Sequence, residues 1–382
     1  MGDVYSELIG QGRAVETLRR AVEGRRHAMT HAWLFVGPPG SGRSNAAKAF
    51  AAALQCPRGG CGECEECRTT LSGAHPDVTL LRTEQLSIGV DEVRALVGRA
   101  NLSPVKGRYQ IVVVEDADRI TERGADALLK GLEEPAPKTV WLLCAPSPDD
   151  VIITVRSRSR VIKLVTPSDE AVTELLVQRD GIPAALAAHS ARAAQGHIGR
   201  ARMLARNEEA RIRRREILAL PGRLTSVTAC LDAAHNLVDS AAEEAKQATA
   251  ELDAKELAAL QEALGLGTRG VKPRNAQAAL RDLEDQQKAR VKRLQRDALD
   301  RVLTEFTAYY RDVLATQTAP EVSLVNSDLA DEITPIARRS TPEQTVRALD
   351  AILRARTALE GNVAPLLALE ALLISLSLAG RT

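Results

Sequence analysis

Four of the six cysteines are crowded into one short segment of the chain. They are Cys56, Cys61, Cys64 and Cys67. Four thiolates at this spacing match the closed tetrahedral site of a structural zinc ion. An iron–sulfur cluster takes the same four donors, and four unligated thiols are the third interpretation. Because packing alone gives no reason for such a density of cysteine, the sequence predicts a structural zinc ion and a reducing, cytoplasmic compartment.

A glycine-rich segment follows the first strongly apolar run and opens a helical pattern at Asn45. A Walker A loop has this context, because its backbone N–H groups and the helix N-terminus cradle phosphates. Arg43 stands where that motif has lysine, and a planar guanidinium does not reproduce a compact ammonium group. The segment therefore predicts the P-loop fold more strongly than it predicts hydrolysis, and a turn without a ligand is the alternative. The candidate phosphate-binding residues are Gly37, Gly40, Gly42, Arg43 and Ser44.

Two acidic residues, Glu115 and Asp116, end the third apolar run. A Walker B segment has aspartate and then glutamate there, the first for the metal and the second to polarise water. The order is inverted in this chain. The pair remains a candidate for weak metal binding, but its inverted order disfavours water activation.

The elements that must position these residues follow from the hydrophobic pattern. Up to Thr166, five short apolar runs alternate with helical patterns, which is typical of a parallel sheet with helical crossovers. The runs are Trp33–Val36, Val78–Leu81, Ile111–Val114, Val140–Leu143 and Val161–Leu164. Ser168 is a candidate N-cap for the next helix, and from there the pattern is helical to the end of the chain. The fold class predicted is α/β plus all-α.

Composition excludes several classes of protein. Aromatic residues make up 2% of the chain, too few for a base-stacking platform, and a net charge of +1 excludes a general polycation. The chain opens without a basic and apolar leader, so we expect no secretion signal. The segment Val363–Ala379 carries Glu370 and is too short for a bilayer span, which predicts a buried helix and no membrane association.

The helical part contains a predicted loop at Gly265–Gly270, between charge-rich stretches at 241–264 and 282–297. We interpret both stretches as solvated helix surface rather than binding tails. One apolar helix face follows them. Its residues are Leu294, Leu299, Val302, Phe306, Tyr309 and Val313.

Several motifs in a fixed order resemble the bacterial clamp-loader subunits of DNA polymerase III, of the delta-prime and gamma/tau types. The motifs are the Walker-A-like loop, the cysteine quartet, Gly73-Ala74-His75-Pro76-Asp77, the run Ala127–Pro135, and Arg156-Ser157-Arg158-Ser159. The resemblance covers about the first 205 residues, and the last two of these motifs are the most specific. Ser159 replaces the usual cysteine, and the Cys56–Cys61 spacing is shorter than is usual in the family.

Departures from the family pattern separate the two types. A hydrolysing gamma/tau-like subunit has the Walker lysine, an Asp-Glu pair, a polar sensor residue and a sensor arginine. This chain has Arg43, Glu115-Asp116, Ala145 and Gly199 instead, while Ser157-Arg158 is intact. The resemblance therefore implies the delta-prime type, with little or no ATPase activity and with weak or absent binding of ATP or ADP. It also implies that Arg158 is an arginine finger offered in trans.

The resemblance further implies an architecture and a set of partners. A P-loop AAA+-type domain at 1–166 contains the zinc module at 56–67, followed by a small helical lid at 167–207 and a helical collar at 208–382. The expected partners are delta and gamma/tau subunits in a five-subunit ring, which acts on the sliding clamp and primed DNA.

Other interpretations stay open. A gamma/tau-like ATPase motor would tolerate Arg43 and the inverted acidic pair, whereas a free-standing nucleotide kinase leaves the cysteines unexplained. Arg156, Arg158 and Arg160 alternatively form a basic strip that contacts DNA phosphates. A second arginine run, at 211–215, would suit a DNA-binding module, but a solvated helix start explains it as well.

Overall fold

The computed structural model describes residues 3–25, 28–83, 87–264, 276–319 and 321–379. The chain forms two compact units, Met1–Arg206 and Asn207–Thr382. In the described residues the first unit combines a parallel sheet with helices and the second is helical, which confirms the predicted fold class. The three-domain division stays a prediction.

Five strands of the described residues form one parallel sheet in the order β2-β3-β4-β1-β5. Each predicted apolar run falls on one of them. The three central strands are buried along their whole length, because helices cover both faces of the sheet and a continuous apolar run suits that position. The strands are β1 (Ala32–Val36), β2 (Val78–Leu81), β3 (Gln110–Val114), β4 (Thr139–Ala145) and β5 (Arg160–Lys163).

Helices of the first unit surround this sheet and continue beyond it. A threonine caps one of them and a serine caps another: Thr121 accepts a hydrogen bond from the N–H of Gly124, and Ser168, as predicted, accepts one from that of Ala171. The helices are α1 (Gly12–Val22), α2 (Arg43–Gln55), α3 (Glu65–Ser72), α4 (Val90–Ala100), α5 (Glu122–Glu133), α6 (Ile153–Ser157), α7 (Asp169–Gln178), α8 (Ala184–Ala194) and α9 (Ile198–Arg206).

The carboxyl ends of three neighbouring strands bring candidate residues to one edge of the sheet. The glycine-rich loop follows β1, the acidic pair follows β3, and Ala145 ends β4, paired in register with Val36. The N–H of Gly37 donates a 3.1 Å hydrogen bond to the carbonyl oxygen of Pro146. Ligand sites of open parallel sheets lie at this edge.

The helices of the second unit enclose a separate core. The predicted apolar face lies on the long helix α12 (Ala276–Thr318): Leu299, Val302, Phe306, Tyr309 and Val313 are buried, and Leu294 is half-buried. The helices are α10 (Glu208–Ala219), α11 (Val227–Ala263), α12 (Ala276–Thr318), α13 (Ala330–Arg339), α14 (Pro342–Glu360) and α15 (Pro365–Ala379). Of these, α15 contains the apolar segment predicted as a buried helix; Leu369 and Leu373 are buried, but Leu367 is exposed.

Two charged side chains predicted to be solvated are buried in this unit. Arg214 lies 3.0 Å from a carboxylate oxygen of Glu305, because a buried guanidinium requires a paired acceptor. Arg290 joins α12 to α11 through Glu256 at 2.8 Å and Asp253 at 2.7 Å. The solvated interpretation is wrong for both. The predicted loop at Gly265–Gly270 lies outside the described residues.

A helix long and apolar enough to cross a membrane does not occur in the part of the chain that the structure describes.

Candidate functional site

The glycine-rich loop turns sharply between β1 and α2. Gly40 and Gly42 have φ angles of +84° and +87°, in the left-handed region where a side chain is strained. Gly37 is crowded instead: a β-carbon there would lie 2.7 Å from the carbonyl oxygen of Leu164. Ser44 lies in the first turn of α2, half-buried. The predicted loop residues are therefore brought together as a strand-to-helix turn of the P-loop kind.

Arg43 turns back onto this loop. Its Nη1 donates a 2.7 Å hydrogen bond to the carbonyl oxygen of Gly37. The guanidinium of the residue at the lysine position of the motif thus binds the loop's own backbone.

His197 packs directly on the same loop. A β-carbon built on Gly40 would lie 2.5 Å from Cβ and 2.6 Å from Cα of His197. One hydrogen bond at the start of α9 orients the histidine ring: its Nδ1 accepts from the N–H of Arg200 at 3.2 Å. Partial desolvation of the ring against the loop, followed by the charges of Arg200 and Arg43, lowers the pKa of His197 and favours the neutral ring. No local sequence pattern predicts this contact, because residues 40 and 197 are far apart in the chain.

The acidic pair is also engaged within the chain. A carboxylate oxygen of Glu115 lies 2.7 Å from Nζ of Lys48, one turn into α2. Asp116 precedes a short 3-10 turn at Ala117–Arg119. Ala145 is fully buried and carries no polar group. Arg43 and His197 contact the loop, and Glu115 is paired with Lys48. The residues present therefore do not fit a nucleoside triphosphate with its metal ion.

The four cysteines form one cluster. Their sulfur atoms all lie within 4.8 Å of one another, and Cys56 Sγ is 3.7 Å from the sulfurs of both Cys61 and Cys64. Sulfur atoms about 2.3 Å from one tetrahedral zinc ion are about 3.8 Å apart. The cluster therefore can hold a metal ion, and the donor set suits a single one.

Backbone N–H groups point at these sulfurs. Cys64 accepts from the N–H of Cys67 at 3.4 Å, and Cys56 accepts from that of Arg58 at 3.3 Å. The N–H groups of Glu63 and Cys64 lower the pKa of Cys61 to about 6. Such donors favour the thiolate, which is the form that binds a metal.

The Gly73–Asp77 motif fastens this module to the sheet. The ring of buried His75 lies 2.7 Å from a carboxylate oxygen of Glu66 on α3, and its Nδ1 accepts from the N–H of Asp77. Asp77 in turn accepts three backbone N–H groups, from Val105, Lys106 and Gly107. Burial opposes its charged form, but these donors hold the pKa of Asp77 below its ordinary value. The motif is a structural clamp.

Arg158 follows α6 and folds back along it. Its Nη1 donates to the carbonyl oxygen of Thr154 at 3.0 Å, and its Nη2 lies 2.6 Å from a carboxylate oxygen of Glu133. The side chain is 37% exposed.

The two neighbouring arginines have different surroundings. Arg156 forms an ion pair with Asp149. Arg160 donates to the carbonyl oxygen of Ala28 at 2.6 Å, with its guanidinium 5.2 Å from the ring centre of Trp33. The three arginines therefore have separate partners, which does not favour a continuous basic strip.

Comparison with known proteins adds to this geometry. Residues 10–168 match the model of a family described as DNA polymerase III, delta subunit. The subunit gamma/tau of Mycobacterium tuberculosis is 34% identical over 160 residues, which are 41% of this chain and 27% of that protein. The delta' subunit of Pseudomonas aeruginosa is 40% identical over 141 residues, 35% of this chain and 43% of that protein. The delta' subunit of Bacillus subtilis is 30% identical over 216 residues, 55% and 64% of the two chains.

Among solved structures, a gamma-subunit-related protein from Thermotoga maritima is 17% identical. The alignment covers 96% of this chain and all of that one, with a TM-score of 0.43. This chain spans less than two thirds of the length of the gamma/tau subunit and of each of the two delta' subunits.

The parallel sheet and its glycine-rich loop between β1 and α2 define an α/β fold of the P-loop type. Residues 10–168 are similar to DNA polymerase III subunits of the delta-prime and gamma/tau types, and the resemblance predicted from the motifs is confirmed.

Proposed function

We propose that the chain is the delta-prime subunit of a DNA polymerase III clamp loader. It hydrolyses little or no ATP, supplies Arg158 to the ATP site of a neighbouring subunit, and helps to load the sliding clamp onto primed DNA. The observation that carries this proposal is a contrast within one unit. Arg43 and His197 contact the chain's own phosphate loop, whereas the arginine of the Ser157-Arg158 motif is partly exposed.

The contacts that Arg43 and His197 make with the glycine-rich loop support a subunit that does not hydrolyse ATP. Phosphate binding requires the loop's N–H groups and a mobile cation, but Arg43 is hydrogen-bonded to Gly37 and His197 packs on Gly40. Metal binding at the first acidic position requires a free carboxylate, but Glu115 is paired with Lys48. These contacts involve three separate parts of the chain, so no single substitution would restore hydrolysis.

The chemistry of arginine supports the role of Arg158. A guanidinium is always ionised and presents a planar fork that can meet charge developing on a γ-phosphate. Arg156 and Arg160 are committed to Asp149 and to the Ala28 carbonyl, so they are poorer candidates.

For the cysteine cluster we propose one structural zinc ion held by Cys56, Cys61, Cys64 and Cys67. The 3.7 Å sulfur separations suit a single ion, whereas an iron–sulfur cluster interposes several atoms and requires its sulfurs farther apart. Four protein ligands leave no open position for catalysis, so the ion braces the module between α2 and β2.

The proposed partners are the delta and gamma/tau subunits of the host. Contact with the sliding clamp and with primed DNA would come through the assembled complex, in the cytoplasm.

The second candidate is a gamma/tau-like ATPase motor, which the 34% identity to a gamma/tau subunit favours. The engaged Arg43 and Glu115 favour the delta-prime assignment instead.

Reconstitution tests the proposal. The purified chain is mixed with the delta and gamma/tau subunits of its host, and the products are separated by size. We expect one stable complex whose DNA-stimulated ATPase requires gamma/tau but is absent from this chain alone. Failure to enter any complex would contradict the proposal, and robust ATPase activity of the isolated chain would favour the motor.

A further inference from the structure

The run Ala127–Pro135 is among the most specific motifs of the sequence, yet the function proposed above gives it no role. It forms the second half of α5 and the residues just after it. Leu128 and Leu132 are buried in the core on one face of the sheet, which fixes the helix. Glu133, the last residue of α5, lies on the opposite, exposed side.

Glu133 reaches the arginine of the other specific motif. Its Oε1 lies 2.6 Å from Nη2 of Arg158. The other terminal nitrogen, Nη1, donates to the carbonyl oxygen of Thr154 at 3.0 Å and to Oγ of Ser157 at 3.4 Å. Both ends of the guanidinium fork are thus engaged within the chain, and the side chain is folded back along α6.

We propose that Glu133 is a latch that holds Arg158 in a retracted position until a neighbouring subunit brings ATP. This rests on the proposed function of Arg158 as a finger. A carboxylate and a phosphate are both anions that bind the guanidinium fork through the same N–H groups. Glu133 therefore competes with the phosphate for Arg158, and the arginine is released when the phosphate wins.

The strength of the contact suits a reversible latch. The two side chains are 37% and 49% exposed, and an exposed ion pair changes an equilibrium by at most about fivefold. A contact of this strength is easily displaced by a phosphate that carries more charge. It is also screened by salt. The latch therefore sets how much ATP is required for activity and does not block activity altogether.

The neighbouring Glu134 provides a matched control. It is the same type of residue, one position further along, and it is exposed. The ion pairs of the described residues include Glu133 with Arg158 but none with Glu134.

The test is Glu133→Gln in the reconstituted complex, since glutamine keeps the size and removes the charge. We expect the ATP concentration for half-maximal ATPase to fall about two- to fivefold. The difference from wild type should shrink at raised salt, and Glu134→Gln should behave as wild type. In an Arg158→Ala background, Glu133→Gln should have no further effect, because no finger is left to release.

Two results would overturn the latch. An unchanged ATP requirement would show that Glu133 does not compete, and a lowered ATPase rate would show that it positions the finger instead. The Arg158→Ala single variant separates this inference from the function beneath it. If that variant is impaired while Glu133→Gln equals wild type, only the latch fails; if Arg158→Ala is itself silent, the finger assignment fails.

Discussion

His197, at the start of α9, packs against Gly40 of the glycine-rich loop so closely that a β-carbon on Gly40 would lie 2.6 Å from Cα of His197. The contact joins the helices that follow the sheet to the turn where a P-loop protein binds phosphate. Two features require a glycine at position 40: the φ of +84° and the close approach of His197.

Gly40→Ala should destabilise the chain more than its backbone angle alone explains. The left-handed angle costs about 1–2 kcal/mol for an alanine, and overpacking against His197 adds about 1–3 kcal/mol. Gly181→Ala is the control, because Gly181 has a φ of +67° and nothing within 4 Å of a built β-carbon. Urea unfolding of both variants measures the difference. Equal losses of stability would mean that His197 does not press on Gly40.

Arg43→Lys alone should not create an ATPase. The change removes the hydrogen bond to the Gly37 carbonyl and restores the Walker lysine, but Glu115 stays paired with Lys48 and Ala145 stays apolar. We expect turnover of the isolated chain to remain at background in both wild type and variant, as measured by phosphate release. Turnover at the rate of a working P-loop ATPase, abolished by Ser44→Ala, would refute this account of the loop.

Protein purified without added metal should contain one zinc ion per chain by elemental analysis. Cys61→Ala should lose the metal and lower the free energy of unfolding, because the module then loses its brace. Cys230→Ala is the control: Cys230 is buried in the second unit, so its loss should cost stability without loss of zinc. Iron with a visible absorbance, or an absence of metal from wild-type protein, would contradict the zinc assignment.

The sequence predicted those parts of the molecule that depend on local patterns. Each apolar run lies in a strand, and the runs of the three central strands are continuous because both faces of those strands are covered. The cysteine cluster was predictable because its spacing is short. The pairs His197–Gly40 and Glu133–Arg158 were not, because they join residues distant in the chain whose types are ordinary at a surface. Arg214 was misassigned for the same reason, since its partner Glu305 lies 91 residues away.

We propose above that Arg158 of this chain takes part in ATP hydrolysis at the ATP site of a neighbouring subunit. Arg158→Ala should leave the chain folded and the reconstituted complex assembled. An arginine finger supplied in trans is worth a factor of about 10³–10⁵ at its site, so the complex should lose the share of ATP hydrolysis that the adjoining site contributes. Arg158→Lys should not rescue that loss, because an ammonium group lacks the planar fork.

The most direct measurement is therefore DNA-stimulated ATP hydrolysis by the reconstituted complex, with wild type, Arg158→Ala and Arg158→Lys compared at equal complex concentration. We expect both variants to hydrolyse ATP more slowly than wild type and to bind primed DNA with unchanged salt dependence. Hydrolysis at the wild-type rate, combined with weaker DNA binding at raised salt, would contradict it and would make Arg158 a contact to DNA phosphate.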